Sequence, residues 1–417
     1  ADGKIILPGV IDIHFHIRAP AFPERCTVLS ETKAAAKGGT TTLFEMPISD
    51  PCASTPEIIR NRKKHFLKET KVNFGLIAAL GELNNNNLNG LLEEGVIALK
   101  IFTIAPPPNR DSEFNGLCFI NEGEIFEALK HAKKSNLIVI FHAESQPLLE
   151  HFSKLEKKFS PSDPKQHNAI RPPITETVAI AKILTINNYV GAKIHIAHVT
   201  SKLATSIISH FQKLGQDVSA ETCPHYLFKS EEEAISARVF GKINPPIREK
   251  NEQNELWNAI KDGILTIVGS DHAVFTLDEK NAGKENFSSA PPGTPAGELL
   301  LPLMMNASFN GKISIEKVAE LLSTNPAKRF NLYPKKGVIA ENSDADLIVF
   351  DPNKSWKIDS NSLQTNGRHC AHLFYEDCIR GQVIKTIING HIVYDNGKFT
   401  EKNNYSEFIR SNNGISL

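Results

Sequence analysis

The sequence predicts an α/β chain folded as a (β/α)8 TIM barrel, with a small β-sandwich domain formed by the chain ends. Three observations predict it. Short apolar runs alternate with helical stretches through the first three quarters of the 417 residues, the pattern of parallel βαβ units. About eight such units in roughly 300 residues fit a barrel better than a doubly wound sheet, which periodicity alone leaves open. After residue 325 the texture changes to short strands and tight turns, and a closed barrel has no edge to accept them.

The strand-like runs are residues 5–7, 41–44, 72–78, 96–102, 137–141, 193–197, 217–220 and 264–268. Helical stretches at 31–37, 56–68, 123–135, 175–189 and 203–214 lie between most of them. In the tail, residues 346–350, 383–388 and 391–394 read as strands, turning at Asn389-Gly390 and Asn396-Gly397, dipeptides that accept the positive φ of a hairpin. The chain opens with a strand already under way before Pro8-Gly9. Residues 1–8 therefore read as the remnant of an N-terminal β layer, 9–330 as the barrel, and 331–417 as the rest of the small β domain and the tail. An N-terminal segment is expected to be missing from this numbering. The Asn-rich stretch 84–89 reads as a loose turn, and no internal repeat stands out.

Composition narrows the function. Lys+Arg and Asp+Glu both number 47, a net charge of zero, which leaves no electrostatic footprint for nucleic acid or an anionic membrane. No apolar run approaches the ~20 residues of a membrane span and no signal peptide opens the chain, so a cytoplasmic protein is expected. The six cysteines are scattered without a CxxC pair and read as reduced thiols.

Potential ligands stand at the strand ends. Strand alternation puts His14 and His16 on one face, where two neutral imidazoles can grip one divalent metal; a packing or surface pair is the other reading of the same two residues. Lys100, His142, His198 and Asp271 each end or follow a different apolar run. Barrel enzymes keep their active sites at such ends, and packing alone does not produce five coincidences of this kind. As an ammonium Lys100 binds no cation, and a snorkelling surface lysine is its plain reading. Buried, it has a depressed pKa, and the free amine can take up carbon dioxide as a carbamate able to bridge two ions about 3.5–4 Å apart.

With these residues in place, the sequence resembles the amidohydrolase superfamily, in the branch of dihydroorotases, dihydropyrimidinases (hydantoinases) and allantoinases. The resemblance spans essentially the whole chain. It rests on Asp12-Ile13-His14-Phe15-His16, Lys100, His142-Ala143-Glu144, His198-Val199-Thr200 and Ser270-Asp271-His272, supported by Arg171-Pro172-Pro173, Glu221-Thr222-Cys223-Pro224-His225, Asn244-Pro245-Pro246 and Asp344-Ala345-Asp346. It implies two divalent ions, zinc by expectation with manganese or iron open: His14, His16 and Asp271 on the first, His142 and His198 on the second, carbamylated Lys100 between them. The implied reaction is opening of a small cyclic amide by metal-activated water, with Asp271 taking the proton and passing it to the departing ring nitrogen. A homodimer or tetramer is implied as well. His195 reads as structural; His225 and His272 read at most as residues that orient ligands. Some superfamily members are metal-free scaffolds, a reading that retention of all six ligand positions opposes.

Among the three activities the dihydroorotase type leads. Arg18 matches the arginine that holds the substrate carboxylate there, and Asn244 is a second expected substrate contact. Ile48 and Phe275 stand where two further polar contacts of that family would be, which weakens an anion site. Hydantoinase features at 167–173, 256–260 and 330–337, and allantoinase features at Glu45-Met46-Pro47 and 221–226, keep those two types as the alternatives.

Overall fold

The computed structural model of the protein describes residues 2–401 and 405–411; residue 1 and positions 402–404 and 412–417 of the expected tail lie outside the described residues. β1 (Ile5–Pro8) and β2 (Val10–His16) are separated by Gly9 alone and part company there. Parallel pairing needs a crossover of a dozen or more residues, so β1 cannot join β2 in the barrel. The run at 5–7, expected among the alternating strands, instead pairs antiparallel with a strand from the far end of the chain.

β2 opens the barrel. β3 (Thr40–Glu45), β4 (Asn73–Ala79), β5 (Ala98–Phe102), β6 (Ile138–His142), β7 (Ile194–Ile196), β8 (Val218–Thr222) and β9 (Ile267–Val268) follow it in chain order, each parallel to the last. The strand breaks at Gly269-Ser270-Asp271 and resumes as β10 (His272–Ala273), which pairs parallel with β2, His272 opposite Phe15. β9 and β10 thus form one interrupted eighth strand whose second half closes the ring. β2 through β6 are buried at every position, as strands covered on both faces must be.

The chain end supplies β11 (Leu347–Lys357), β12 (Cys378–Ile388), β13 (His391–Asp395) and β14 (Lys398–Phe399), which with β1 make a five-stranded antiparallel sheet. The expected hairpin turns are present, with Asn389, Gly390, Asn396 and Gly397 all at positive φ. Buried Asp346 ties this sheet to the barrel. Its carboxylate accepts from Lys336 Nζ at 2.6 Å, from Asn73 Nδ2 at the start of β4 at 3.1 Å, and from the Asn389 backbone at 2.9 Å.

Two local readings are corrected. Residues 84–89 are not a loose turn: Asn84 caps the helix Asn85–Glu94, its side chain accepting from Asn87 N, while Leu88 and Leu91 bury one face. The helix expected at 31–37 starts earlier, at Val28, because Thr27 and Ser30 form a reciprocal capping box. Serine at the third helical position is not the Glu or Gln that usually marks this motif.

Ala98, Ile138 and Ile140 lie on the strand faces that carry Lys100 and His142. With Ile11, Ile13, Phe44, Ile77 and Ile267 they form an apolar cluster, to which Phe330 and Leu332 also belong. The polar strand ends therefore rest on a packed layer, which limits their freedom to rearrange.

Candidate metal centre

His14 and His16, two residues apart on β2, have ring centroids 5.3 Å apart. Their Nε2 atoms lie 3.2 and 3.4 Å from one Asp271 carboxylate oxygen. These three side chains offer ligand atoms within 4.8 Å of one another. The other nitrogen of His14, Nδ1, faces Glu221 Oε1 at 2.5 Å. Donation to that carboxylate fixes the tautomer and leaves the Nε2 lone pair for a cation. Asp271 sits in the strand break with φ 46°, left-handed backbone that a non-glycine residue holds only when its surroundings impose it. Asp12 imposes part of it: its Oδ1 accepts from the backbone of both His14 and Ser270. Gly269 is also required, since a Cβ there would lie 2.3 Å from Glu221 Oε2.

A second group adjoins the first. His142, at the end of β6, and His198, two residues beyond β7, approach with His142 Nδ1 2.9 Å from His198 Nε2. His142 Nε2 lies 2.8 Å from Glu144 Oε2, which also accepts from Arg171 Nη1 at 2.6 Å. Burial would raise the Glu144 carboxyl pKa, but Arg171 and His142 outweigh it and hold the group below the usual carboxylate range. Phe102 stacks on the His142 ring, 4.4 Å away and nearly parallel. His198, like Asp271, has positive φ, 40°.

Lys100 is 1% exposed and its Nζ has no hydrogen-bond partner among the described residues, so the surface-lysine reading fails. Burial brings its pKa down to about 8, against the opposing pull of Glu221 and Asp271. The amine is therefore available for carbamate formation at a cost far smaller than for a solvated lysine.

These residues fit a binuclear divalent centre. One imidazole of each group is committed to a carboxylate on its outer nitrogen, and the inner nitrogens and Asp271 converge. Lys100 Nζ, His16 Nδ1 and His198 Nδ1 are buried without partners among the described residues, and orphaned polar atoms gathered in this way are expensive unless a ligand or ion uses them.

The site opens into a cavity of ≈ 420 Å³ that Arg18 and Asn244 both line, together with Ile48 and Phe275. Asn244 Oδ1 is buried and has no partner among the described residues. The Arg18 guanidinium is buried 4.8 Å over the Phe275 ring, and its Nη1 makes a long 3.4 Å donation to Val274 O. Burial lowers its pKa to about 10, and no acid pairs with it among the described residues.

The remaining histidines divide. His272 Nε2 faces Glu31 Oε2 at 3.0 Å and its Nδ1 accepts from Gly297 N, so the ring anchors loops away from the ligands. His195 Nδ1 faces Ser219 Oγ at 2.8 Å, and its Nε2 stands 3.8 Å from Glu221, behind the carboxylate that holds His14. His225 is fully buried with both ring nitrogens unpartnered among the described residues. Sequence reasoning gave no role to Glu144, Arg171 or Glu221. Glu221 ends β8 just as the ligands end their strands, a positional signal that could have found it.

Comparison with known proteins agrees with this geometry. The model of the amidohydrolase family matches residues 5–393. An L-hydantoinase of Paenarthrobacter aurescens is 28% identical over 415 residues, covering 99% of this chain and 89% of that protein. An allantoinase of Deinococcus radiodurans is 30% identical over 400 residues, covering 95% and 86%. The solved L-hydantoinase (dihydropyrimidinase) from Arthrobacter aurescens superposes with a TM-score of 0.91 at 27% identity, over 98% of this chain and 89% of the other. A dihydropyrimidinase from Brevibacillus agri gives 0.87 at 28%, over 99% and 90%. No helix among the described residues is long and apolar enough to cross a membrane. With the family match running over residues 5–393, the chain belongs to the amidohydrolase family, in the cyclic amidohydrolase branch.

Proposed function

We propose that this chain opens a cyclic ureide or amide ring by metal-dependent hydrolysis, in the manner of hydantoinases, dihydropyrimidinases and allantoinases. The observation that carries the reading is the convergence of His14, His16, His142, His198 and Asp271 at the floor of one cavity, together with a buried Lys100 whose Nζ has no partner among the described residues. The dihydroorotase-type ring that led in the sequence gives way to its alternative, because the relatives bear hydantoinase and allantoinase names.

His14, His16 and Asp271 would hold one ion, His142 and His198 the other, and the Lys100 carbamate would join them; zinc is the expected metal. Such ions, when bound, supply Lewis acidity to the ring carbonyl and water acidic enough to attack at neutral pH. Asp271 accepts the proton of the attacking water and returns it to the ring nitrogen as the carbon–nitrogen bond breaks. Asn244, which lines the cavity and whose Oδ1 has no partner among the described residues, is the residue to accept a ring N–H and align the scissile carbonyl. Arg18 closes one wall as a cation without a counter-ion among the described residues. A ring that bears a carboxylate is therefore the second reading, and Arg18 is its one supporting observation.

A substrate panel tests both. Hydantoin, 5-substituted hydantoins, dihydrouracil, allantoin and dihydroorotate are assayed with zinc or manganese added. Turnover of the neutral rings at tenfold or more the efficiency for dihydroorotate is expected. Metal-free protein with no turnover on any ring would return the chain to the scaffold class.

A further inference from the structure

We infer that Arg171 is a positioning residue for the second half of the metal centre, acting on His142 through Glu144. The inference rests on the metal-binding reading above.

An imidazole that serves as a metal ligand uses both of its nitrogens. One nitrogen must present its lone pair, so the other must carry the proton and give it to an acceptor. For His14 the acceptor is Glu221, buried and backed by His195. For His142 it is Glu144, whose Oε2 stands 2.8 Å from Nε2, leaving Nδ1 turned toward His198 Nε2. Glu144 is fully buried, and its other oxygen, Oε1, has no partner among the described residues. The carboxylate is held in place by Arg171, which donates to the very oxygen that faces His142.

Arg171 is itself fixed from behind. Its carbonyl accepts from Arg248 Nη1 at 2.5 Å, and Arg248 Nε donates to Thr200 Oγ1 at 3.0 Å. Thr200 stands two positions after His198, and Glu176 accepts from its backbone N–H at 2.9 Å and from its hydroxyl at 2.8 Å. Both histidines of the second group are thus braced from one connected set of polar contacts. Arg171 closes the helix Lys165–Ile170 and also lines the cavity, which Glu144, Arg248, Thr200 and Glu176 do not. Loss of the guanidinium would remove the donor that holds Glu144 Oε2 against His142 Nε2 and leave the carboxylate free to turn. Turning away removes the acceptor that sets the His142 tautomer.

The test counts zinc directly. Wild type, Arg171→Gln, Arg171→Lys and Glu144→Gln are dialysed against zinc buffered by a chelator over a range of free concentrations, and metal per chain is measured at each. Wild type should show two binding steps. Arg171→Gln should weaken one step by about 10–100-fold, the usual effect of losing an outer partner of a ligand, and leave the other within twofold. Arg171→Lys should recover part of the loss, since it keeps the charge but not the fork. Glu144→Gln should weaken the same step, and the double variant should fall no further than the worse single one. Equal weakening of both steps, or none, in folded Arg171→Gln and Glu144→Gln overturns the inference while the metal centre stands. A wild-type chain with no stoichiometric zinc overturns both.

Discussion

The floor of the cavity and its wall are built by different means. Floor residues stand near the end of β2, at the end of β6, just beyond β7 and in the break between β9 and β10, with buried Lys100 in the middle of β5, on strands whose neighbours fix them on both sides. Much of the wall comes from loops, Ile48 after β3, Ile104 and Pro106–Pro108 after β5 and Phe275 after β10, and part from the helix Gln146–Ser153 through Gln146, Leu149 and Ser153. The floor is dense in polar groups that constrain one another; the wall is largely apolar, with Arg18 as its buried cation. Chemistry therefore belongs to the rigid part and ring choice to the variable part. Substitutions in the floor should act on every substrate alike, and substitutions in the wall on some substrates only.

The largest effect is expected at Lys100. Lys100→Ala removes the carbamate and should lower kcat by about a thousandfold or more on all rings, as a loss of several kcal/mol of metal-assisted stabilisation implies. Circular dichroism should remain that of a folded barrel. Unequal losses among rings, or full activity with full zinc content, would contradict a bridging role. Gly269→Ala comes next. A methyl group 2.3 Å from Glu221 Oε2 and 3.1 Å from the His14 Cβ must displace the carboxylate that orients His14. A loss of about 10–100-fold in zinc affinity or kcat, the range for a disturbed outer partner, should again be shared by all rings.

This contrast also explains what the sequence disclosed. The floor was legible because two signals coincide there, a strand-like apolar run and a ligand-type residue at its end. His14, His16, Lys100, His142, His198 and Asp271 were all singled out in this way. Glu144 and Glu221 stood in the motifs but were given no role, because carboxylates are common and their value depends on which nitrogen they face, a fact of three dimensions. The wall was hardly legible: loops have no period, and nothing in Pro106-Pro107-Pro108 says that it bends over the site. β1 was read both among the alternating runs and as part of the small β layer, and its pairing with β11 from the other end of the chain agrees with the second reading, a partner of which the local pattern carries no trace.

Arg18 tests the wall from its polar side. Arg18→Ala should raise KM for a carboxylate-bearing ring by the worth of a charged hydrogen bond, about 1.5–3 kcal/mol or roughly 10–150-fold. For unsubstituted hydantoin the change should stay within a few-fold. An equal rise for both rings would make Arg18 a structural cation held by Phe275, with no part in choosing the substrate.

The smallest effect is expected at Ile48, and it isolates the wall most cleanly. Ile48 packs with Phe102, Ile104 and Phe114 in a small cluster separate from the main core, and it also faces the cavity. Ile48→Val removes one methylene from that junction. Stability should fall by about 0.5–1.5 kcal/mol, read as a slightly lower Tm. The space released favours rings with bulkier apolar substituents, and one methylene in a pocket is worth about 1–3 kcal/mol at most. The ratio of kcat/KM for a 5-alkyl hydantoin to that for hydantoin should therefore rise by about three- to tenfold, with zinc per chain unchanged. A ratio that stays fixed while Tm drops would place the substituent elsewhere and leave Ile48 as packing behind the wall. A change in zinc content would show that this part of the wall is mechanically continuous with the floor through Phe102, whose ring lies on both Phe114 and His142.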